Sequence, residues 1–284
     1  MSIVVTGATG HLGRLVVEGL LARGVPAAEI VAAGRRIDKI ADLAARDVQV
    51  RHADFDDPAT LKDAFAGADK LLLISGSELG KRITQHRNAV DAAREAGVGL
   101  LGYTSAPRAA DTRLKLAAEH AATEEYIRAA GIPFVFLRNS WYLEVYTEHI
   151  PTQLEHGVTG AAGDGRVSAA ARADYAEAAA AVLVAPDQSG KVYELGGDSA
   201  FTLTEYAAEL ARQSGRPVQY HDLPLGPYTA MLEGFGMPRP VAEVVADIDA
   251  GIARGDVLSD SGDLARLIGR PTTTLAQGIA AALR

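Results

Sequence analysis

Through the first half of the chain, short apolar runs alternate with longer segments of helical periodicity. The strand-like runs cover 3–6, 30–34, 48–51, 70–74, 100–104 and 133–138, and are β-branched or leucine-rich. Between them lie amphipathic segments over 11–23, 38–46, 58–66, 81–96 and 114–130, each predicted as a helix with one buried face. Strands apolar on both faces and alternating with helices belong to a parallel sheet covered on both sides. Right-handed crossovers wind such a sheet into a doubly wound α/β fold.

The second half is less regular. Residues 192–195 (VYEL) read as a further strand, with Gly196 and Gly197 as its turn. Thr202 and Glu205 have the spacing of a capping box and open a helix to about Ser214. Residues 215–217 break it before a strand-like VQYHDL, and helices are predicted over 226–236, 238–254 and 260–284. The Pro and Gly residues at 224–240 suit a loop-rich lid or a pocket wall.

Composition narrows the function classes. Of the 284 residues, 48% are hydrophobic and 23% charged, as in ordinary soluble proteins, and the chain is long enough for one large domain or two unequal lobes. A formal net charge of −8 argues against nucleic acid or an anionic membrane as partner. The chain has no cysteine, which excludes disulfides, thiolate nucleophiles and cysteine-held metal sites. The apolar run that begins at Ile3 leaves no room for a signal peptide, and no stretch approaches the roughly 20 residues that span a bilayer. A cytoplasmic protein is expected.

The candidate chemistry begins at TGATGHLG, residues 6–13, directly after the first strand and at the start of the first helix. Gly7, Gly10 and Gly13 supply a tight turn, a close approach to a pyrophosphate and close helix–strand packing, while the helix N-terminus offers unpaired N–H groups. An NAD enzyme places an acid about 20 residues on, at the end of the second strand, for the ribose 2′-hydroxyl. Here that strand ends in Gly34, Arg35 and Arg36. A guanidinium matches a 2′-phosphate in charge and geometry, so NADPH is the expected cofactor, held by Arg35, with Arg36 next in line. A solvated basic pair at a helix start is the plainer alternative.

TGATGHLG, Arg35, LLLISGSELGKR, QHRNAVDAAREAGV, YTSAP, GIPFVFLRNSWY, AAGDGRVSAAARADYAEAAA and KVYELGGDSAFTLTEYAAELA together resemble the NADPH-dependent quinone oxidoreductase 2 group. That group falls within the NmrA-like, atypical short-chain dehydrogenase/reductase families. The resemblance covers nearly the whole chain. It implies a Rossmann domain over 1–150 and a smaller substrate lobe over 151–284, with part of 172–200 returning to the sheet and an aromatic acceptor in the cleft. It also implies phosphate contacts at Gly7, Thr9, Gly10, His11 and Leu12, the 2′-phosphate at Arg35, and a ribose beside Ser75, Gly76 and Ser77. Asn139, Ser140, Trp141 and Tyr142 would border the nicotinamide and the acceptor, with Arg172 near the cofactor. Each has a plainer reading: a helix-capping turn for 75–77, a cap for Asn139, core aromatics for Trp141 and Tyr142, and packing for His86.

Carbonyl reductases of the short-chain class carry Tyr-x-x-x-Lys on the helix after the fifth strand. Taking His120 as the lysine's counterpart puts Leu116 in the tyrosine's place, and leucine donates no proton. Ser105 alone is a poor acid, and Lys115 is one position off. Hydride addition to a ketone leaves a basic alkoxide that needs a positioned acid, whereas a quinone yields a phenolate stable enough to be protonated by water. The expected function is therefore direct hydride transfer from NADPH to a small quinone, with Asn139, Tyr142 and His120 closest to the chemistry. His120 would position cofactor or acceptor rather than act as an essential donor. The rival reading is a non-catalytic NADP(H)-binding redox sensor, which also needs no acid.

Overall fold

The computed structural model describes residues 1–78 and 80–284; Leu79, inside the quoted LLLISGSELGKR, lies outside the described residues. The first half runs β1 (Ile3–Val5), α1 (His11–Ala22), β2 (Ile30–Gly34), α2 (Ala41–Ala44), β3 (Gln49–His52), α3 (Pro58–Phe65), β4 (Lys70–Leu73), α4 (Arg82–Glu95), β5 (Leu100–Ser105), α5 (Lys115–Ala130) and β6 (Phe134–Asn139). The second half continues with β7 (Trp141–Tyr142), α6 (Glu144–Thr147), α7 (Ile150–His156), β8 (Val158–Gly160), β9 (Ala169–Ala170), α8 (Arg172–Val184), β10 (Lys191–Leu195), α9 (Leu203–Ser214), β11 (Tyr220–Asp222), α10 (Leu225–Gly234), α11 (Arg239–Ala253), α12 (Asp263–Ile268) and α13 (Leu275–Ala282).

Among the described residues the main sheet has seven strands in the order β10-β6-β5-β4-β1-β2-β3. The pairings from β3 across to β6 are parallel, with Ile3 opposite both Ile30 and Lys70. The fold is thus the doubly wound α/β sheet expected from the strand–helix alternation. Every residue of β1 and β2 is buried, as strands covered on both faces must be, whereas the edge strand β3 is half-exposed and polar. Leu71, Leu73, Tyr103 and Phe136 from the central strands pack with Phe65, Val90 and Ile127 from the helices in one core.

Two compact units divide the chain. The first comprises 1–106, 119–138 and 173–193; the second comprises 107–118, 139–172 and 194–284. In the second unit, capping boxes Thr202–Glu205 and Thr274–Gln277 start α9 and α13. Several predicted elements differ from those observed. The helix expected over 38–46 is a 3₁₀ turn, Ile37–Ile40, followed by the single-turn α2. The helix expected over 260–284 is two helices, because Gly269 adopts φ +71° after α12 and Pro271 follows.

Candidate functional site

The glycine-rich turn is built by backbone geometry. Gly7 has φ +63°, and the Gly10 N–H donates to its carbonyl at 2.9 Å. A Cβ on Gly13 would lie 2.3 Å from Gly7 O and 2.8 Å from the Ala8 Cα, so only glycine allows α1 to pack this close to the turn. Helix α1 starts at Gly10 with no capping side chain and no acid in its first turn. Gly10 and His11 are exposed there, leaving unpaired helix N–H groups open to an anion. Leu12 faces the core instead, and Thr9 packs on β2, where a Cβ on Gly34 would meet its Cγ2 at 2.8 Å.

Arg35 follows directly after β2, its guanidinium largely in solvent and 2.9 Å from Glu78 Oε1. At the carboxyl end of β4, residues 75–77 are held by the strands on either side. The Thr6 hydroxyl donates to Leu72 O and accepts from the Ile74 N–H; the Thr104 hydroxyl accepts from the Ser75 N–H. The Gly76 peptide groups are held by two buried side chains. Its N–H donates to His86 Nε2 at 3.0 Å, and its carbonyl accepts from Arg82 Nε at 2.8 Å. Arg82 is in turn paired with Glu119 at 2.6 Å.

The proton positions in this cluster follow from the donors. The Thr123 hydroxyl donates to Glu119 O, so it accepts from His86 Nδ1 at 3.0 Å, which fixes His86 as the Nδ1–H tautomer. The Tyr103 hydroxyl is hydrogen-bonded to His120 Nδ1 at 2.7 Å. Burial pushes His86 down to about 3, with help from the nearby Arg82 charge, and pushes His120 well below its ordinary value for the same reasons. Both rings are neutral at physiological pH. His120 is thus brought into a buried cluster beneath residues 75–77.

The other expected site residues lie in the second unit. Asn139 is buried and donates from Nδ2 to the Tyr142 hydroxyl at 3.2 Å, while its Oδ1 is buried with no partner. Among the described residues only one other buried side-chain polar atom, Tyr146 Oη, shares that condition. The Arg172 guanidinium stacks 5.4 Å from the centre of the Tyr142 ring and pairs with Glu148 at 3.1 Å. Trp141, beside Tyr142 in β7, is half-buried and pairs with Ala169. Ser140 is otherwise committed: its hydroxyl donates to Val257 O and its N–H to Leu195 O. A cavity of about 480 Å³ opens among Lys115, Leu225, Thr229, Arg239 and Asp247, so the 224–240 region does supply a pocket wall.

Neither Ser105 nor His120 is free to act as a strong proton donor. The Ser105 hydroxyl is committed to Glu124 Oε1 at 2.7 Å, in a buried cluster that also holds Arg138 and Arg128. His120 is buried, bonded to the Tyr103 hydroxyl and neutral. Lys115 lies in the second unit, on the wall of the cavity formed by α10 and α11. The turn, Arg35 and residues 75–77 can hold a dinucleotide phosphate and ribose, and the orphaned Asn139 Oδ1 suits an amide donor.

Residues 1–251 match the model of the NmrA-like family. The chain belongs to that family. Over 278 residues it is 49% identical to quinone oxidoreductase 2 of Escherichia coli strain K12, spanning 98% of this chain and 97% of that one. The crystal structure of the NADPH-dependent E. coli quinone oxidoreductase complexed with NADPH superposes with a TM-score of 0.96 at 48% identity, covering 99% of this chain and all of the other. Triphenylmethane reductase from Citrobacter sp., complexed with NADP(H), gives 0.93 at 39% identity over 99% of this chain and all of that one.

The residues that the sequence reading missed in this NmrA-like protein are the supports of residues 75–77. A signal was present: Arg82 and His86 stand four apart on α4, as do Glu119 and Thr123 on α5, so each pair shares a helix face. Of these residues the sequence singles out only His86, as a packing residue.

Proposed function

We propose that the chain is an NADPH:quinone oxidoreductase of the cytoplasm. A dinucleotide site in which neither Ser105 nor His120 is available as a strong proton donor carries this reading, and the near full-length similarity to the E. coli quinone oxidoreductase supports it. The bound NADPH supplies a hydride. The turn of Gly7, Thr9, Gly10, His11 and Leu12 holds the pyrophosphate, Arg35 the 2′-phosphate, and Ser75, Gly76 and Ser77 the ribose. Asn139 offers its unpaired Oδ1 to a carboxamide N–H, while Tyr142, backed by Arg172, and Trp141 flank an aromatic acceptor; Ser140 holds that segment by its backbone contacts. Proton delivery is left to water, which suffices for a phenolate and not for an alkoxide. No described helix is long and apolar enough to cross a membrane.

Mixing protein, NADPH and 1,4-benzoquinone and following the absorbance of the reduced cofactor tests this. Turnover is expected with the quinone and not with simple ketones. Tight NADPH binding without oxidation would point to the redox sensor instead.

The neutral His120 is a positioning residue in this reading. His120→Ala removes the hydrogen-bond partner of the buried Tyr103 hydroxyl, at a cost of about 1–3 kcal/mol in stability. It is expected to lower kcat by less than about tenfold, since a general acid contributes about 10²- to 10⁴-fold. A thousandfold loss of kcat in a folded variant that binds NADPH would make His120 the acid and remove the argument for a quinone.

A further inference from the structure

Arg35 is assigned above to a 2′-phosphate, yet in the structure its charge is already engaged. Its Nη1 lies 2.9 Å from Glu78 Oε1, and Glu78 Oε2 lies 3.3 Å from Lys81 Nζ. One carboxylate thus spans two cations that come from different loops, one after β2 and one just before α4. Lys81 has a second acid, Asp56, at 3.8 Å. The side chains of Arg35 and Lys81 are 60% and 61% exposed, so a ligand reaches both cations without unpacking the core. An exposed carboxylate pair of this kind holds its partners weakly. A phosphate monoester carries nearly twice the charge and three acceptor oxygens, and is the stronger counter-ion for a guanidinium and an ammonium together.

Glu78 also has the chemistry to serve a cofactor without that phosphate. NAD enzymes place a carboxylate at the end of the second strand for the ribose 2′-hydroxyl. This chain has Gly34, Arg35 and Arg36 there, but Glu78 brings a carboxylate to Arg35 from the neighbouring loop.

We propose that Glu78 sets the cofactor preference. It is the internal counter-ion that Arg35 and Lys81 give up to a 2′-phosphate, and the acceptor for the 2′-hydroxyl when the cofactor is NADH. Lys81 is the second cation of the phosphate site. The inference rests on the reading that places the adenosine ribose at the end of β2.

The test is isothermal calorimetry of NADPH and of NADH on the full chain and on Glu78→Gln, Lys81→Met and Arg35→Ala, with circular dichroism to check folding. Glu78→Gln keeps the side-chain volume and removes the charge. It is expected to tighten NADPH by about three- to tenfold and to weaken NADH by a few fold, the NADPH gain shrinking as salt is raised. Lys81→Met is expected to weaken NADPH by about three- to tenfold and to leave NADH unchanged. Arg35→Ala, which loses a charge-assisted contact, is expected to weaken NADPH by about 10- to 150-fold with little effect on NADH. If Arg35→Ala weakens both cofactors equally, the ribose is not at the end of β2 and the underlying reading falls. If Arg35→Ala is selective but Glu78→Gln leaves the NADPH-to-NADH affinity ratio unchanged or lowers it, Glu78 is no competitor and the inference alone falls. Equal effects of Lys81→Met on both cofactors, or none, would remove Lys81 from the site.

Discussion

Gly10→Val is expected to weaken NADPH binding by roughly a hundredfold in a protein that still folds. The choice of position follows from what each glycine of the turn does. At Gly13 any side chain meets backbone at 2.3 Å, so a substitution there damages the packing of α1 on the turn and confuses folding with binding. At Gly10 the nearest atom to a new Cβ is Gly7 O at 3.3 Å, a contact that needs a shift of only a few tenths of an ångström. The backbone at Gly10 is extended, with φ −99° and ψ 172°, a conformation that valine adopts readily. The fold therefore accepts the residue. What the branched side chain occupies is the approach to the first N–H groups of α1, where an anion is held by backbone donors and the helix dipole. Forcing extra methyl groups into a close contact costs about 1–3 kcal/mol, or about five- to 150-fold in affinity. Calorimetry that finds unchanged NADPH affinity in a variant with native circular dichroism would move the phosphate site away from this turn.

That turn could be read from the sequence because its chemistry is local: strand, glycines and helix start are contiguous over 6–13. The place of Arg35 was legible for the same reason, since it follows a strand whose end the glycine at 34 marks. The sheet was legible through its uniformly apolar strands, and β2 spans the residues predicted for it. Helix α8 was not, because Ala176, Ala178, Ala179, Ala180, Ala181, Val182 and Leu183 are buried on every side of it. A helix apolar all round has no stripe for periodicity to find. The short pairs β7–β9 and β8–β11 are two or three residues each, below what alternation can signal. The supports of Gly76 depend on tertiary contact. His86 and Gly76 are only ten residues apart, but Tyr103, His120 and Thr123 reach the same cluster from two other elements. Ser105 shows the same limit from the opposite side: as a serine after a strand it was a weak acid candidate, and only the contact with Glu124 shows that its proton is committed.

Arg138→Ala is expected to lower the free energy of unfolding by about 3–5 kcal/mol, the largest stability effect anticipated for this chain. Glu124 is fully buried, and Arg138 grips both its oxygens, Nε to Oε1 at 2.9 Å and Nη2 to Oε2 at 2.7 Å. Arg128 reaches Oε2 at 3.2 Å, but its side chain is 43% exposed, so solvent screens much of its attraction. The Ser105 hydroxyl contributes one neutral hydrogen bond. Removing Arg138 therefore leaves a buried carboxylate with one screened cation and one hydroxyl, and the cost is that of desolvating an unpaired charge rather than of losing a contact. The two origins are separable. Adding Glu124→Gln to Arg138→Ala removes the charge and is expected to recover a large part of the loss, whereas a contact-based cost would only grow with the second substitution. Denaturant titration of the two single variants and the double variant decides between them. NADPH affinity in folded Arg138→Ala is expected to change little, because Gly76 is held by His86 and Arg82, which are themselves held by Thr123 and Glu119. A parallel fall in affinity would mean that the Glu124 cluster supports residues 75–77 as well, and that β5 and α5 hold the cofactor loop as one unit with the sheet.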